Sequence, residues 1–355
     1  MNIRKIALHE LEEFLKSDVY DQFEIKPITP ARAASYLKDP HASPNNFVLY
    51  LLTEGSKLIA FRTLFADRLT HEKAPFAWLS GNWVHPDYRR QGFSEKLLKE
   101  AHNDWNGRLM FTNYAPASLQ LYLKTGKFEP IYEGSGERFY LFAKTSKILA
   151  ARLHRFRFIL PIADFLIHLW ATLKVSLFKP KVASSFQTEL LEFPDRPCYD
   201  LVKSKRNELL FRRTPKTLKW IFNYPWISNA NINLADQYPF SSYSKSLQYQ
   251  TLKIFLNGQF KGFLVYSIRD GHLKILLNFL DERLLPQVAV LLSKIALEQK
   301  IEMMTVLDPV LSNALKNAKN PFVFHKKFEH RIYSSFKPAN AVGKIQAGDG
   351  DFILS

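Results

Sequence analysis

The sequence holds a single cysteine, Cys198, in 355 residues. No disulfide can form within the chain, and no thiolate zinc site can be built from it, which suits a reducing compartment. The N-terminal stretch MNIRKIALHELEEFLKS is charged and amphipathic and lacks an apolar secretory h-region, so a cytoplasmic location is expected. Nothing is low-complexity. The phosphate loop Gly-x-x-x-x-Gly-Lys-[Ser/Thr], the dinucleotide fingerprint Gly-x-Gly-x-x-Gly and the zinc motif His-Glu-x-x-His are all absent. His325 and His330 stand beside Lys326 and Lys327, whose charges repel a cation, and a hairpin is expected there. Gly348-Asp349-Gly350-Asp351 lacks the further ligands of a calcium loop and reads as a solvated tail. No metal is expected.

What the chain does have is apolar mass and positive charge. A hydrophobic content of 46% is enough for packed cores, and the length suits two domains better than one. The net charge of +16 is unevenly spread. Residues 1–145 hold 19 Lys and Arg against 17 Asp and Glu, residues 146–182 hold 7 against 1, and residues 183–355 hold 23 against 15. The basic excess therefore lies beyond residue 145, where it could serve nucleic acid, an acidic membrane surface or an anionic substrate.

One stretch organises the rest: Trp83-Val84-His85-Pro86-Asp87-Tyr88-Arg89-Arg90-Gln91-Gly92-Phe93-Ser94. An apolar run that ends at a Pro-Asp turn reads as a strand leaving the core. Beyond the loop, Phe93, Leu97, Leu98, Ala101 and Trp105 give one apolar helical face. A loop between strand and helix offers backbone N–H groups that neither element uses, at the positive end of a helix dipole, which makes an anion site. Gly92 removes the side chain that would block a ligand, and the arginines add charge.

The spacing Arg89-x-x-Gly92-x-Ser94, introduced by Val84-x-Pro86-x-Tyr88-Arg89, resembles the [Gln/Arg]-x-x-Gly-x-[Gly/Ala] loop of the GNAT superfamily of acyl-CoA-dependent N-acyltransferases. Ser94 replaces the usual glycine or alanine. A second match is Asn113-x4-Ser118-x2-Leu121-Tyr122-x3-Gly126-x-Phe128, which resembles the later motif of that family. The resemblance implies that Arg89, Arg90, Gln91, Gly92, Phe93 and Ser94 cradle the coenzyme A pyrophosphate. It also implies that Trp83, Val84 and His85 flank the pantetheine arm, and that Asn113, Ser118 and Tyr122 stand near the cofactor, with Tyr122 facing its sulfur.

The order of elements extends the resemblance over residues 1–145. Leu11–Lys16 reads as helix, residues 23–28 as strand, and a helix starts at Thr29-Pro30. Strands are expected at 47–53, 57–66 and 77–84, a helix to Trp105, a strand at 108–112, a helix from Pro116 to Gly126, and strands at 128–132 and 138–143. Residues 146–183 form a basic linker whose Ile162, Leu166, Leu169, Trp170, Leu173 and Leu177 share one helical face. It is too short and interrupted to span a membrane, so a strut packed between domains is expected, with peripheral membrane contact as the alternative. Residues 184–355 repeat the order with separate strands at 322–325 and 331–336. They have no glycine and two carboxylates, Asp281 and Glu282, at the corresponding junction. The expected fold is mixed α/β: two tandem GNAT-like folds, the second without the pyrophosphate loop.

The chemistry implied is direct attack of a primary amine on acetyl-CoA, with no covalent enzyme intermediate and no metal. Tyr122 is the acid that would protonate the departing thiolate. For the base, His85, Asp87, and water held by Ser80 or Asn82 all stand open, with Ser80 and Asn82 expected on one polar strand face. The second domain would shape an acceptor pocket for a small-molecule or peptide amine, or form a homodimer surface. The rival reading is a nucleic-acid or anionic-surface protein using Phe211-Arg212-Arg213, Lys216, Lys219-Trp220 and Lys326-Lys327-Phe328. No recognised nucleic-acid motif accompanies these residues, and no nucleic-acid partner is expected.

Overall fold

A computed structural model describes residues 1–112, 116–141, 160–179, 183–229, 236–339 and 343–354. The fold is mixed α/β. In chain order its elements are β1 (Asn2–Ala7), α1 (Leu11–Leu15), α2 (Asp18–Gln22), α3 (Pro30–Leu37), β2 (Phe47–Glu54), β3 (Lys57–Asp67), β4 (Phe76–Val84), α4 (Phe93–Asp104), β5 (Leu109–Thr112), α5 (Pro116–Lys124) and β6 (Glu129–Tyr140). After α6 (Leu160–Leu177) come β7 (Phe186–Leu191), α7 (Arg196–Ser204), α8 (Pro215–Asn223), β8 (Leu247–Leu256), β9 (Gln259–Arg269), β10 (His272–Asn278), α9 (Leu285–Glu298), β11 (Met303–Val306), α10 (Pro309–Asn317) and β12 (Phe324–Ser334). These residues pack into two compact units. The first takes Met1–Glu133, Tyr199–Lys245 and His330–Ser355, and the second takes Gly134–Cys198 and Ser246–Glu329.

In the first unit β1 to β4 pair antiparallel in sequence order, β5 joins β4 in parallel, and Ile332–Ser334 of β12 close on β5. The β2–β3 turn is set by Gly55, whose φ of +59° suits a residue without Cβ. Helix α3 starts as its sequence predicts: the Thr29 side chain accepts the Arg32 N–H and Pro30 occupies the first turn. Helix α4 buries Leu97, Leu98, Ala101 and Trp105 against Tyr50, Leu52, Ala60, Leu64 and Leu79. That apolar face fixes its direction relative to β4.

A wholly buried ion cluster joins distant parts of this unit. Arg213 donates through Nη1 to both oxygens of Asp67 at 3.1 and 3.2 Å, and through Nε to Asp349 at 3.0 Å. The Trp78 indole also donates to Asp67, at 2.9 Å, and the His41 ring lies 3.6 Å from it. Burial alone would raise the Asp67 pKa, but the Arg213 charge holds it low. Burial pushes Asp349 up to about 6, only partly offset by Arg213, and pushes His41 down to about 4. The segment around Asp349, read from sequence as a solvated tail, is thus packed into the core.

The second unit repeats the plan. Strands β7 to β10 pair antiparallel, β11 joins β10 in parallel, and Glu137–Tyr140 of β6 pair with β11. Helix α9 packs Val288, Ala289, Leu292 and Ala296 into the core of this unit. Helix α6 touches the unit by a narrow strip: Ala171 and Phe178 are buried, Val175 packs on the core, and Lys174 Nζ donates to the Phe322 carbonyl at 2.6 Å. The apolar face predicted to pack as a strut is the exposed one. Residues 146–159 of the linker lie outside the described residues.

Further expectations change. Asn2–Ala7, read as part of a charged amphipathic stretch, is an edge strand, and residues 23–28 hold no strand. Residues 129–140 and 324–334 are each one continuous strand where two were expected. Gly134 and Gly136 lie between the two expected strands. Gly136 lies where an added Cβ would meet Leu307 and Phe328 at 2.6 Å, so close packing explains it. His325 to Lys327 are exposed, which permits polar residues mid-strand without a hairpin. Several of the interleaved basic and aromatic residues of the nucleic-acid reading are, by contrast, buried. Phe211 and Trp220 are buried, the Trp220 indole donates to the Ser35 carbonyl at 2.7 Å, and Arg213 sits in the ion cluster.

Candidate active site

The site begins with a defect in a strand ladder. β3 and β4 pair from Ala60 with Val84 down to Asp67 with Phe76, but the register slips between Thr63 with Gly81 and Leu64 with Leu79, which leaves Ser80 as an extra residue. This bulge bends β4. β4 then pairs with β5 only at Ala77 and Trp78. From Leu79 to Val84 it diverges, and the two parallel strands open into a gap.

The bulge also flips the phase of the side chains. Ser80 points toward α3, where its Oγ accepts from Arg32 Nη1 at 3.0 Å. Asn82 points toward α4, where its Oδ1 accepts from Ser94 Oγ at 2.7 Å and from Arg62 Nη2 at 3.1 Å. The one polar face expected of these two residues is therefore split between the two sides of the sheet. Strict alternation predicts a shared face only in the absence of a bulge.

Beyond β4 the chain turns tightly. The His85 N–H donates to the Ile59 carbonyl at 2.8 Å, and Pro86–Tyr88 form one 3-10 turn. The His85 Nδ1 accepts the Asp87 N–H at 3.3 Å, and Tyr88 Oη donates to Glu54 at 2.8 Å. Arg89 Nε reaches back to the Val84 carbonyl at 3.4 Å, and Gln91 Nε2 donates to the Asp87 carbonyl at 3.4 Å. Arg90 and Gly92 both adopt left-handed backbone, with φ of +64° and +81°. For arginine this is an uncommon conformation, of the kind that persists where surrounding structure enforces it. Its effect is to turn the chain abruptly into α4, whose N-cap is Gly92 and whose N-terminus carries no side-chain cap. The first N–H groups of α4 are thus not claimed by a capping side chain.

These elements enclose a cavity of about 720 Å³, walled by Asn82, Trp83 and Val84 from β4, by Arg89, Arg90, Gly92, Phe93 and Ser94 from the junction, and by Ser118, Leu121 and Lys124 from α5. Three cations line it against one carboxylate, Glu95. An adjoining cavity of about 520 Å³ adds Lys96, Lys99 and Lys127. Both contain the Gly92 backbone. A Cβ added there would meet no protein atom within 4 Å, so it would stand in open cavity.

Tyr122, the predicted acid, lies behind the cavity wall next to Leu121 rather than in its lining: it is fully buried between Phe111 and Phe128, and its oxygen accepts from Arg62 Nη1 at 2.9 Å. Arg62 is the residue that sequence reasoning missed. Its guanidinium is 0% exposed and also donates through Nη2 to the Ser94 carbonyl and hydroxyl, both at 3.2 Å. One side chain on β3 thus ties β4, the start of α4 and α5 together. The signal was present: an arginine inside Lys57-Leu-Ile-Ala-Phe-Arg-Thr-Leu-Phe-Ala-Asp67, an otherwise apolar strand, must find internal partners. Of the predicted residues, His85 lines a separate cavity of about 240 Å³ that shares Trp83, and Asp87 is largely exposed. Asn113 lies outside the described residues. Among those residues no group of three or more His, Cys, Asp or Glu side chains gathers to hold a metal.

The corresponding junction of the second unit is built differently. Asp281 accepts the Arg283 N–H at 3.0 Å and pairs with its guanidinium, so a carboxylate of the chain fills the turn before α9. Asn278 Nδ2, at the end of β10, donates to Asp308 at 2.8 Å, bridging toward the segment after β11.

A parallel pair that loses its pairing beyond Trp78, a bulged strand and an uncapped helix start beside a cationic cavity are the surroundings in which the structure places the Arg89–Ser94 loop. Residues 8–126 match the Acetyltransferase (GNAT) family. Among solved structures, a GCN5-related N-acetyltransferase from Anabaena variabilis aligns with 94% of this chain and 72% of its own, at 13% identity and a TM-score of 0.50. Saccharomyces cerevisiae N-myristoyltransferase with bound myristoyl-CoA aligns with 95% of this chain and 83% of its own, at 10% identity and a TM-score of 0.51. A tandem GNAT protein from the clavulanic acid biosynthesis pathway aligns with 96% and 99%, at 11% identity and a TM-score of 0.49. At these identities the likeness is one of fold. A comparison with curated proteins finds no match.

Proposed function

We propose that the first unit transfers an acetyl group from acetyl-CoA to a primary amine of a small molecule or peptide, by direct attack on the thioester. The observation that carries this reading is the uncapped start of α4, which opens on a cationic cavity with Gly92 at its floor. Phosphate oxygens there would accept the backbone N–H groups that follow Gly92 and meet the positive end of the helix. The pantetheine arm would run along the free edge of β4 between Leu79 and Val84. At its end the amine nitrogen attacks the thioester carbonyl, the carbon–sulfur bond breaks, and the thiolate takes a proton from Tyr122. An oxygen that accepts from Arg62 directs its own O–H away from the guanidinium, which suits the phenol as a donor. The amine's proton leaves through water, for which Asn82 and Ser118 supply polar anchors in the cavity wall.

Two substitutions test the roles. Arg90→Ala is expected to weaken acetyl-CoA by about 5- to 30-fold, or ~1–2 kcal/mol for one charge-assisted contact. Tyr122→Phe is expected to lower kcat about 10²-fold with acetyl-CoA affinity little changed. Turnover equal to wild type at saturating substrates would return Tyr122 to a packing role. Calorimetry with acetyl-CoA tests the whole reading: micromolar binding is expected, and none at millimolar ligand would overturn it.

A further inference from the structure

We propose that α6 lies on an anionic bilayer surface, with its long axis in the plane of the membrane. Ile162, Phe165, Leu166, Leu169, Trp170, Leu173 and Leu177 are each between 48% and 66% exposed. They recur at three- and four-residue steps along an 18-residue helix, and so form one continuous row about 23 Å long. A contiguous patch of seven large apolar side chains exceeds what monomeric soluble proteins ordinarily leave in water, and such patches mark interaction surfaces. The opposite strip, at Ala171, Val175 and Phe178, already holds the helix to its unit. The exposed row is therefore presented outward by a docked helix.

Charge selects the occupant. Residues 146–182 carry seven Lys and Arg against the single Asp164. The sequence sets Arg152, Arg155 and Arg157 just before the helix and Lys179 and Lys181 just after it. An apolar row flanked at both ends by basic residues suits the boundary between acyl chains and anionic headgroups, and each basic residue near such a surface adds attraction that salt screens. A second copy of the chain fits less well. A two-fold pairing of the helices, parallel or antiparallel, would bring one basic end of the sequence segment against another. No helix of the described residues is long and apolar enough to cross a membrane, so the contact is peripheral.

The full chain is floated with phosphatidylcholine vesicles and with vesicles containing 30% phosphatidylglycerol, at low and high salt. Binding is expected to the anionic vesicles at low salt, to fall at least tenfold at high salt, and to be weak on neutral vesicles. Leu166→Glu/Leu173→Glu is expected to lower binding at least tenfold while circular dichroism and the monomer's elution stay unchanged, since both side chains face outward. Ile162→Glu/Leu177→Glu repeats the test at the ends of the row, should the first pair disturb folding. Flotation unaffected by both pairs overturns the proposal, as does absence of wild-type binding. A wild-type dimer that the substitutions dissociate, with no vesicle binding, overturns it too and assigns the row to a second copy. Acetyl-CoA affinity is independent of all these outcomes and separates them from the enzymatic reading.

Discussion

Gly92→Val is expected to abolish coenzyme A binding, by at least about 100-fold or ~3 kcal/mol, in a protein that still folds. Two features combine at this residue. Its φ of +81° is one that valine tolerates poorly, so the turn into α4 will shift or strain. Its missing Cβ faces open cavity, with no protein atom within 4 Å to be displaced. The substitution therefore spares the core and falls on the ligand. Calorimetry of wild type should give one coenzyme A per chain, because the only comparable junction among the described residues has Asp281 folded onto its own turn. Two sites per chain, or one site of wild-type affinity kept in a folded Gly92→Val protein, would show that the second unit also binds the cofactor.

The second large effect is on stability. Arg213→Met is expected to destabilise the protein by about 3–5 kcal/mol, because it leaves Asp67 and Asp349 buried without their cation. The loss should depend on pH. In wild type, Arg213 holds the Asp67 pKa down, so that carboxylate contributes stability above its unfolded pKa and loses it as pH falls. Without the arginine, burial would raise Asp67 above its unfolded value and would raise Asp349, already up at about 6, further. A group raised on folding favours the folded state at low pH and opposes it as pH rises through the folded value. The deficit in urea unfolding should then be largest near pH 8 and shrink toward pH 5. A deficit that is constant across that range, or below about 1 kcal/mol, would mean that the two carboxylates find other partners when Arg213 is gone.

How much of this was legible in the sequence follows from the range of each interaction. The β2–β4 meander, the turn at Gly55, the Thr29 cap and the apolar face of α4 are local patterns, and all were readable. The tight glycine turn into α4 was readable for the same reason, since Arg89 to Ser94 lie within a few residues of each other. Arg62 and the Ser80 bulge were not. A bulge depends on how two strands align, and no period in β4 alone records it. The partners of Arg62 sit 20, 32 and 60 residues away. Edge strand β1 was hidden because its first residues face solvent and carry charge. The apolar row of α6 was seen correctly as a row, but periodicity shows which residues share a face and not whether anything covers it.

The way the first unit is assembled has a consequence for how the chain acquires its structure. The free side of β5 is covered by Ile332–Ser334, more than two hundred residues later, and the Asp67 carboxylate waits for Arg213 and its neighbour Asp349. During synthesis, β1 to β5 emerge long before any of these arrive. The nascent meander would then expose an unpaired strand edge and an uncompensated buried acid until the last segment leaves the ribosome. Contacts of such sequence separation predict slow refolding from denaturant. They also predict that removal of the residues after His330 would unfold the candidate site, since Tyr333 stacks on Phe111, which packs against Tyr122.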